Sequence, residues 1–335
     1  MKKIINSADS FVQDTMEGII CAYGDKVKLL NDDFRVLLSD YPAKAGKVGI
    51  VTAGGSGHLP VFLGYVGSGM LDGCAVGDVF ASPASDKMVD MIRACDRGSG
   101  VLCLYGNYNG DKFNFRMACE EVEFDDIETE TVLVRDDVAS SLKENADKRR
   151  GVAGMVYAFK IAGAAADKML NLQEVAAVTA KALDNIRSMG VALSPCIVPK
   201  AGKPTFSIAE DEIEVGMGIH GEAGIEVRKM MTADEIAETL VTTILKDLPL
   251  DSGDEVSVMV NGLGATPMEE QLIVYRKVYQ ILADRGVKIV MPHIGEYATS
   301  MEMAGLSVTI FKLDGELKEL LQAPAQTPFY TNANK

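Results

Sequence analysis

Histidine is scarce in this chain, with three in 335 residues (His58, His220 and His293), and tryptophan is missing altogether. So few imidazoles confine neutral-pH acid–base and metal chemistry to a handful of positions. The six cysteines, Cys21, Cys74, Cys95, Cys103, Cys119 and Cys196, include no CxxC pair and mostly lie in apolar runs, where a free thiol packs as a small hydrophobe. Neither a disulfide framework nor a zinc site is indicated. No stretch approaches the roughly 20 consecutive apolar residues that cross a bilayer. The opening MKKIINSADSF turns polar after its lysines, without the apolar segment of a signal peptide. The expectation is a cytoplasmic protein with no membrane partner. Basic residues are outnumbered, 33 Lys and Arg against 48 Asp and Glu, for a net charge of -15. Nucleic acid and anionic membranes reward clustered cations, so both are excluded and a small neutral substrate or a protein partner fits better. There is no Walker A loop and no GxGxxG spacing, so no nucleotide cofactor and no metal are expected in this chain.

What is present suits a globular protein, with 47% apolar and 24% charged residues and no long low-complexity tract. The length exceeds the usual single domain. Short β-rich runs (KVGIVTAGG, GCAVGDVFA, GVLCLYGNY, TETVLVRDD) alternate with helical patterns such as ASDKMVDMIRACDRG. An opening helix capped by Asn6 or Ser7 precedes them. Two Ala-rich helical patterns follow, the second, NLQEVAAVTAKALDNIRSMG, ending with Gly190 at C′. A second strand-rich set comprises GVALSPCIVP, DEIEVGMGIHG, DEVSVMVNGLG, GVKIVMPHIG and LSVTIFKLD. The expected fold class is α/β: two α/β domains, 1–188 and 189–335, each a mainly parallel or mixed sheet covered by helices.

Three glycine loops hold the candidate chemistry. TAGGSGHLP, Thr52 to Pro60, follows the strand KVGIVT and suits either a polar ligand cradle or a tight strand-to-helix turn, with His58 at the start of the following helix. YGNYNGD, Tyr105 to Asp111, follows GVLCL. Ligands collect at the carboxyl ends of strands in open α/β sheets, so Asp111 and His58 can act as a base and its partner; Asp111 serves equally as the cap of the helix beginning KFNFRMA. The third loop holds His220. A lone histidine on an apolar strand is commonly satisfied by a backbone carbonyl. Here Gly216, Gly218 and Gly221 strip side chains from around the ring, and Glu222 is placed to fix its tautomer, a setting that suits a nucleophile. His293 reads as structural, and the loop NGLGATP as architectural or part of an interface.

In order and spacing, GGSGHLP, GNYNGD, RRGVAG, VPKAGKPTFSIAEDEIEVGMGIHGE and NGLGATP resemble the dihydroxyacetone kinase family, specifically the sugar-binding subunit of its two-part enzymes. The resemblance runs from the first residues to near the C-terminus. It implies that a short-chain ketose such as dihydroxyacetone is held as a hemiaminal on His220. Gly55, Ser56, Gly57, His58 and Gly106 then contribute to the substrate site, Asp111 and His58 handle protons, and Asp111 is the base on the attacking hydroxyl. A reversible covalent bond demands a carbonyl, which ordinary hydrogen bonding to a polyol does not. The resemblance further implies a homodimer and a separate nucleotide-binding subunit carrying ADP or ATP with magnesium, recharged in some bacteria by a phosphotransferase protein. A non-catalytic coactivator of a transcription factor is the alternative role in the family, and the retained His58 and Asp111 favour the kinase. Where better-known phosphotransferase-coupled members carry Glu and Lys, this chain has Leu59 and Gly106. That opens the reading to a four-carbon ketose such as erythrulose.

Overall fold

The computed structural model describes residues 2–333; Met1, Asn334 and Lys335, at the outer ends of the two expected domains, lie outside the described residues. The chain divides into two compact units, neither continuous in sequence: 1–134, 156–181 and 317–335 form the first, 135–155 and 182–316 the second. The expected cut at 188/189 stands near the Lys181/Ala182 crossing, but two other segments change sides. Residues 135–155 join the second unit, where buried Arg149 binds Asp247. The C-terminal segment returns to the first, where the buried Lys160 ammonium donates to Leu320 O at 2.7 Å.

In the first unit, α1 (Phe11–Tyr23) buries the stripe Val12, Met16 and Ile19, the spacing of one helical face. Its N-cap is Ser10 rather than Asn6 or Ser7; the Ser7 hydroxyl instead accepts the Ser10 N–H at 3.0 Å. The antiparallel hairpin of β1 (Val27–Leu30) and β2 (Asp33–Ser39) was not expected. Its turn, Asn31-Asp32, has φ of 51° and 61°, which suits the twist of a tight hairpin. Then come β3 (Gly49–Ser56), β4 (Gly73–Val79), α2 (Ser85–Cys95), β5 (Val101–Gly106), α3 (Asn109–Val122) and β6 (Thr129–Val134). The sheet order is β1-β2-β4-β3-β5-β6, with β4, β3, β5 and β6 parallel. Helices α2 and α3 cover one face over a core that includes Val51, Met88, Ile92, Cys103, Tyr105 and Phe115. From β3 the chain moves first to β4 on one side and then to β5 on the other. Such a reversal opens a crevice at the strand ends. Helix α4 (Met155–Asp167) passes so close to Met70 that a Cβ on Gly163 would sit 2.4 Å from its Cα.

Helix α5 (Leu172–Asp184) stops before the expected end, because β7 (Ile186–Ser194) begins two residues later. Gly190 is therefore a strand residue paired with Ser307, not a helix C′ position. The second unit continues through β8 (Glu212–Val215), β9 (Glu226–Lys229), α6 (Ala233–Asp247), β10 (Glu255–Gly262), α7 (Met268–Asp284), β11 (Lys288–Gly295), β12 (Ala304–Leu313) and α8 (Gly315–Gln322), the last leading back to the first unit. Helix α6 opens on a capping box, Thr232 with Glu235. The sheet order is β11-β10-β12-β7-β8-β9, parallel only between β10 and β11. Val256, Val258, Val260, Leu240, Ile244, Val274 and Val278 lie in its core. Both sheets are thus six-stranded and mixed, as an α/β class requires. Among the described residues no helix is long and apolar enough to cross a membrane.

Candidate active site

In the first unit the site residues gather at the carboxyl ends of β3 and β5, which are adjacent and parallel. Side chains are excluded from the end of β3: a Cβ on Gly54 would lie 2.1 Å from the Phe62 ring, and one on Gly55 2.7 Å from Ala81 N. The Ser56 hydroxyl donates to Gly77 O at 2.8 Å, and Ser56 O accepts the Phe80 N–H at 3.0 Å. The end of β3 is thereby clamped to β4 and to the first residue after it. Gly57, at φ 100°, supplies the left-handed turn. No α-helix follows, contrary to expectation. A short 3-10 turn, Leu63–Tyr65, is the only helical element between β3 and β4, so His58 does not open an α-helix. His58 is fully buried, stacked on Phe80 at 4.7 Å and 17° and edge-on to Phe62 at 6.3 Å. The aromatic rings fix its plane.

Strand β5 ends at Gly106, and the Asn107 N–H donates to Val134 O at 3.1 Å. The N-cap of α3 is Tyr108, so Asp111 stands in the first turn of the helix rather than at its cap. There it is buried, on the stripe with Phe115, Ala118 and Val122, and Phe115 stacks on Tyr105 at 4.1 Å. Packing thus sets the rotation of α3 and with it the placing of Asp111. A carboxylate at that point also gains from the helix dipole.

His220 belongs to the second unit. Strand β8 stops at Val215, so His220 lies in a turn, not on the expected longer strand. Glu222 folds back on it: Oε2 accepts the His220 backbone N–H at 2.9 Å, and Oε1 lies 2.8 Å from Nδ1. Burial alone would raise the Glu222 carboxyl. Hydrogen bonding and charge from His220, with the backbone N–H groups of both residues, outweigh it and bring the group down to about 2. An ionised carboxylate has no proton to donate, so Nδ1 of the neutral ring carries the hydrogen and the lone pair resides on Nε2.

The glycines around this turn are each closely approached. A Cβ on Gly218 would sit 2.2 Å from Glu222 Oε2, one on Gly216 2.6 Å from Ala139 Cβ, and one on Gly221 3.0 Å from Thr205 Cβ. They let neighbouring groups press onto the turn. Gly216 and Gly221 both take φ 82°.

Reading the sequence missed Arg150, in the RRGVAG segment. Its guanidinium holds Asp137 at 2.8 Å, donates to Gly216 O at 3.2 Å and stands 3.9 Å from Glu222 Oε2. It thereby ties the base of the turn to the residue behind the imidazole. Burial pushes Asp137 up to about 6, against the pull of Arg150. Phe80 was also missed; it comes to His58 through the left-handed φ of 59° that turns the chain after β4. His293 is a core imidazole, brought down to about 4 by burial, with Ser257 Oγ 3.4 Å from Nδ1. Asn261, in NGLGATP, accepts the N–H groups of Tyr297 and Ala298 at 2.8 Å, a loop-bracing role.

Comparison with known proteins places this arrangement. The Dak1 domain matches residues 17–329. A Listeria innocua protein named as the dihydroxyacetone-binding subunit DhaK of PTS-dependent dihydroxyacetone kinase 2 is 43% identical over 98% of this chain and 99% of its own length. The L-erythrulose kinase of Pectobacterium atrosepticum is 41% identical over 98% of this chain but only 56% of its own. Among solved structures, a dihydroxyacetone kinase operon co-activator, Dha-DhaQ, matches with a TM-score of 0.89 at 30% identity, covering 96% of this chain and 98% of that one. The dihydroxyacetone kinase of C. freundii matches with the same TM-score and identity over 99% of this chain and 61% of its own. Matched through both units by relatives of this kind, the chain belongs to the Dak1 family, that of the dihydroxyacetone-binding subunits of dihydroxyacetone kinases.

Proposed function

We propose that this chain is the ketose-binding subunit of a dihydroxyacetone-type kinase, working as a homodimer with a partner subunit that brings ADP or ATP with magnesium. The observation that carries the reading is the contact of His220 Nδ1 with an ionised Glu222, which directs the ring's lone pair to Nε2. In the capture step Nε2 attacks the ketone carbon. An N–C bond forms, the carbonyl π pair moves to oxygen, and that oxygen takes up a proton to give the hemiaminal. Glu222 offsets the charge that the substituted ring acquires while it keeps its Nδ1 proton. Capture fixes the sugar in one pose and removes part of the orientational cost of phosphoryl transfer. Asp111 takes the proton of the terminal hydroxyl as that oxygen attacks the phosphorus, assisted by His58, while Gly55, Ser56, Gly57 and Gly106 contribute to the sugar site. The acceptor is an alcohol group and the chain acts only with its partner.

The test is intact-protein mass spectrometry with dihydroxyacetone after mild reduction. A covalent adduct on the wild type and none on His220→Ala is expected; an unchanged adduct on the variant would refute the reading. The matches to kinases named for erythrulose favour a second substrate, a four-carbon ketose. On that reading kcat/KM for erythrulose equals or exceeds that for dihydroxyacetone, and Gly106→Lys selectively depresses the larger sugar. A triose preference indifferent to that substitution removes it. A coactivator would show capture without turnover even when the nucleotide-bearing subunit is supplied.

A further inference from the structure

Two cysteines meet between the strand that ends at Gly106 and the helix whose first turn holds Asp111. Cys103 lies on β5 directly opposite Thr131 of β6, in the core that α3 covers. Cys119 lies on α3, one turn beyond Phe115, packed against the same core. Their sulfurs are 3.8 Å apart. A disulfide requires about 2.05 Å, so closure asks for a relative sulfur movement of about 1.8 Å.

The two sulfurs differ in the way an oxidisable pair requires. Cys103 is buried, whereas Cys119 is half-buried. The Cys103 hydrogen bond lowers the Cys119 thiol, and although burial opposes this, contacts with Thr129 and Thr131 add to it and bring the group to about 7. The same bond, together with burial, pushes Cys103 well up. Of the two, the half-buried Cys119 carries the larger thiolate fraction near neutral pH, and the buried Cys103 stands 3.8 Å behind it in the place of a resolving thiol. By contrast, burial pushes Cys74 and Cys95 up.

We propose that Cys103 and Cys119 form a peroxide-sensitive dithiol that closes reversibly to a disulfide between β5 and α3. The Cys119 thiolate attacks one oxygen of the peroxide, the O–O bond breaks, and the other oxygen leaves with a proton as water, giving a sulfenic acid. The Cys103 sulfur then attacks the Cys119 sulfur. The S–S bond forms, the S–O bond breaks, and hydroxide leaves with the Cys103 proton as a second water. Peroxide is reduced by two electrons and the two thiols are oxidised by two. Because Asp111 lies eight residues earlier on α3, and Gly106 three residues after Cys103, the bond would tether the two elements that bear them.

The experiment treats the reduced full-length chain with hydrogen peroxide, removes the excess, alkylates remaining thiols, digests without reductant and maps the peptides by mass. The expected product is one cross-linked species joining the Cys103 and Cys119 peptides, lost on treatment with dithiothreitol. Cys103→Ser should trap a dimedone-reactive sulfenic acid on Cys119, and Cys119→Ser should abolish the cross-link, each checked for unchanged circular dichroism. Should a variant fail to fold, the wild-type map alone decides. Recovery of Cys119 as sulfinic acid beside an intact Cys103 thiol would overturn the proposal, as would both remaining reduced while the exposed Cys21 is oxidised.

Discussion

In the proposed capture step Glu222 holds the His220 ring, and its effect is separable from that of the ring itself. Glu222→Gln keeps the size and one oxygen acceptor but removes the charge that offsets a substituted imidazole. The equilibrium for ketose capture is expected to fall by about 10–100-fold, by analogy with the loss of a carboxylate that orients a metal-bound imidazole, as read by titration with carbonyl-labelled dihydroxyacetone followed by NMR. Capture as strong as that of the wild type would remove Glu222 from the mechanism. Asp111→Asn should show the opposite division. Capture persists, because His220 is untouched, while turnover with the partner subunit drops by about 10²–10⁴-fold, the usual cost of a lost general base. If turnover held, the buried Asp111 would serve packing alone. The Glu222 contact was legible in the sequence, two residues from the histidine that it orients, while Asp111 read equally as a base or a helix cap and stands in the first turn of α3. Arg150 was not legible, because its value depends on Asp137 and Gly216 O, a pairing distant in sequence that no local pattern announces.

At the scale of the element, the segment 135–155 is held in the second unit by a buried charge cluster. Arg149 makes a two-pronged contact with Asp247 at the end of α6, at 2.9 and 2.6 Å, and Arg187 Nε of β7 binds the same carboxylate. Lys143 adds a bond to Asp247 O at 2.9 Å. Asp247→Asn would leave two guanidinium groups without their counter-charge, and breaking a buried pair in this way costs about 3–5 kcal/mol. Urea unfolding should show a correspondingly lower midpoint; a change under about 1 kcal/mol, the surface-pair range, would mean the cluster is effectively solvated. The pH dependence has a definite sign. Burial raises the Asp247 carboxyl, but the two arginines prevail and lower it from 3.8 to about 2. A depressed folded value gives stability that is present above about 3.8 and lost as pH falls through 2. The wild type should therefore lose stability over that interval, and Asp247→Asn should lose less. Elements themselves were read well where the apolar spacing was sustained, as in ASDKMVDMIRACDRG, which forms α2, and poorly where it was short. The β1–β2 hairpin escaped because its turn, Asn31-Asp32, splits two four-to-seven-residue strands with charges at their ends. The helix α5 was overrun because Ile186 and Met189 continue its apolar spacing while pairing in β7.

On the scale of the whole molecule, alternating strands and helices made the α/β class legible, whereas a single cut could not express units assembled from separated segments. Those segments are fixed by side chains far apart in sequence, Arg149 with Asp247 and Lys160 with Leu320 O, and only folding brings them together. The same scale governs the last prediction. Relatives matched along nearly their full length are named as dihydroxyacetone-binding subunits, while the C. freundii kinase and the erythrulose kinases are matched over little more than half of theirs. Within these 335 residues there is no loop with the Lys-Ser/Thr that cradles nucleotide phosphates, and the net charge of -15 disfavours polyanions. The purified 335-residue chain, mixed with magnesium, ATP and dihydroxyacetone, is therefore expected to form its covalent adduct yet release no sugar phosphate, and calorimetry with magnesium nucleotide should be flat. Addition of the nucleotide-bearing subunit should start turnover at a rate that saturates with that subunit. Steady phosphorylation by the chain alone, undiminished by further purification, would show that the phosphoryl donor binds here and would overturn the two-part mechanism.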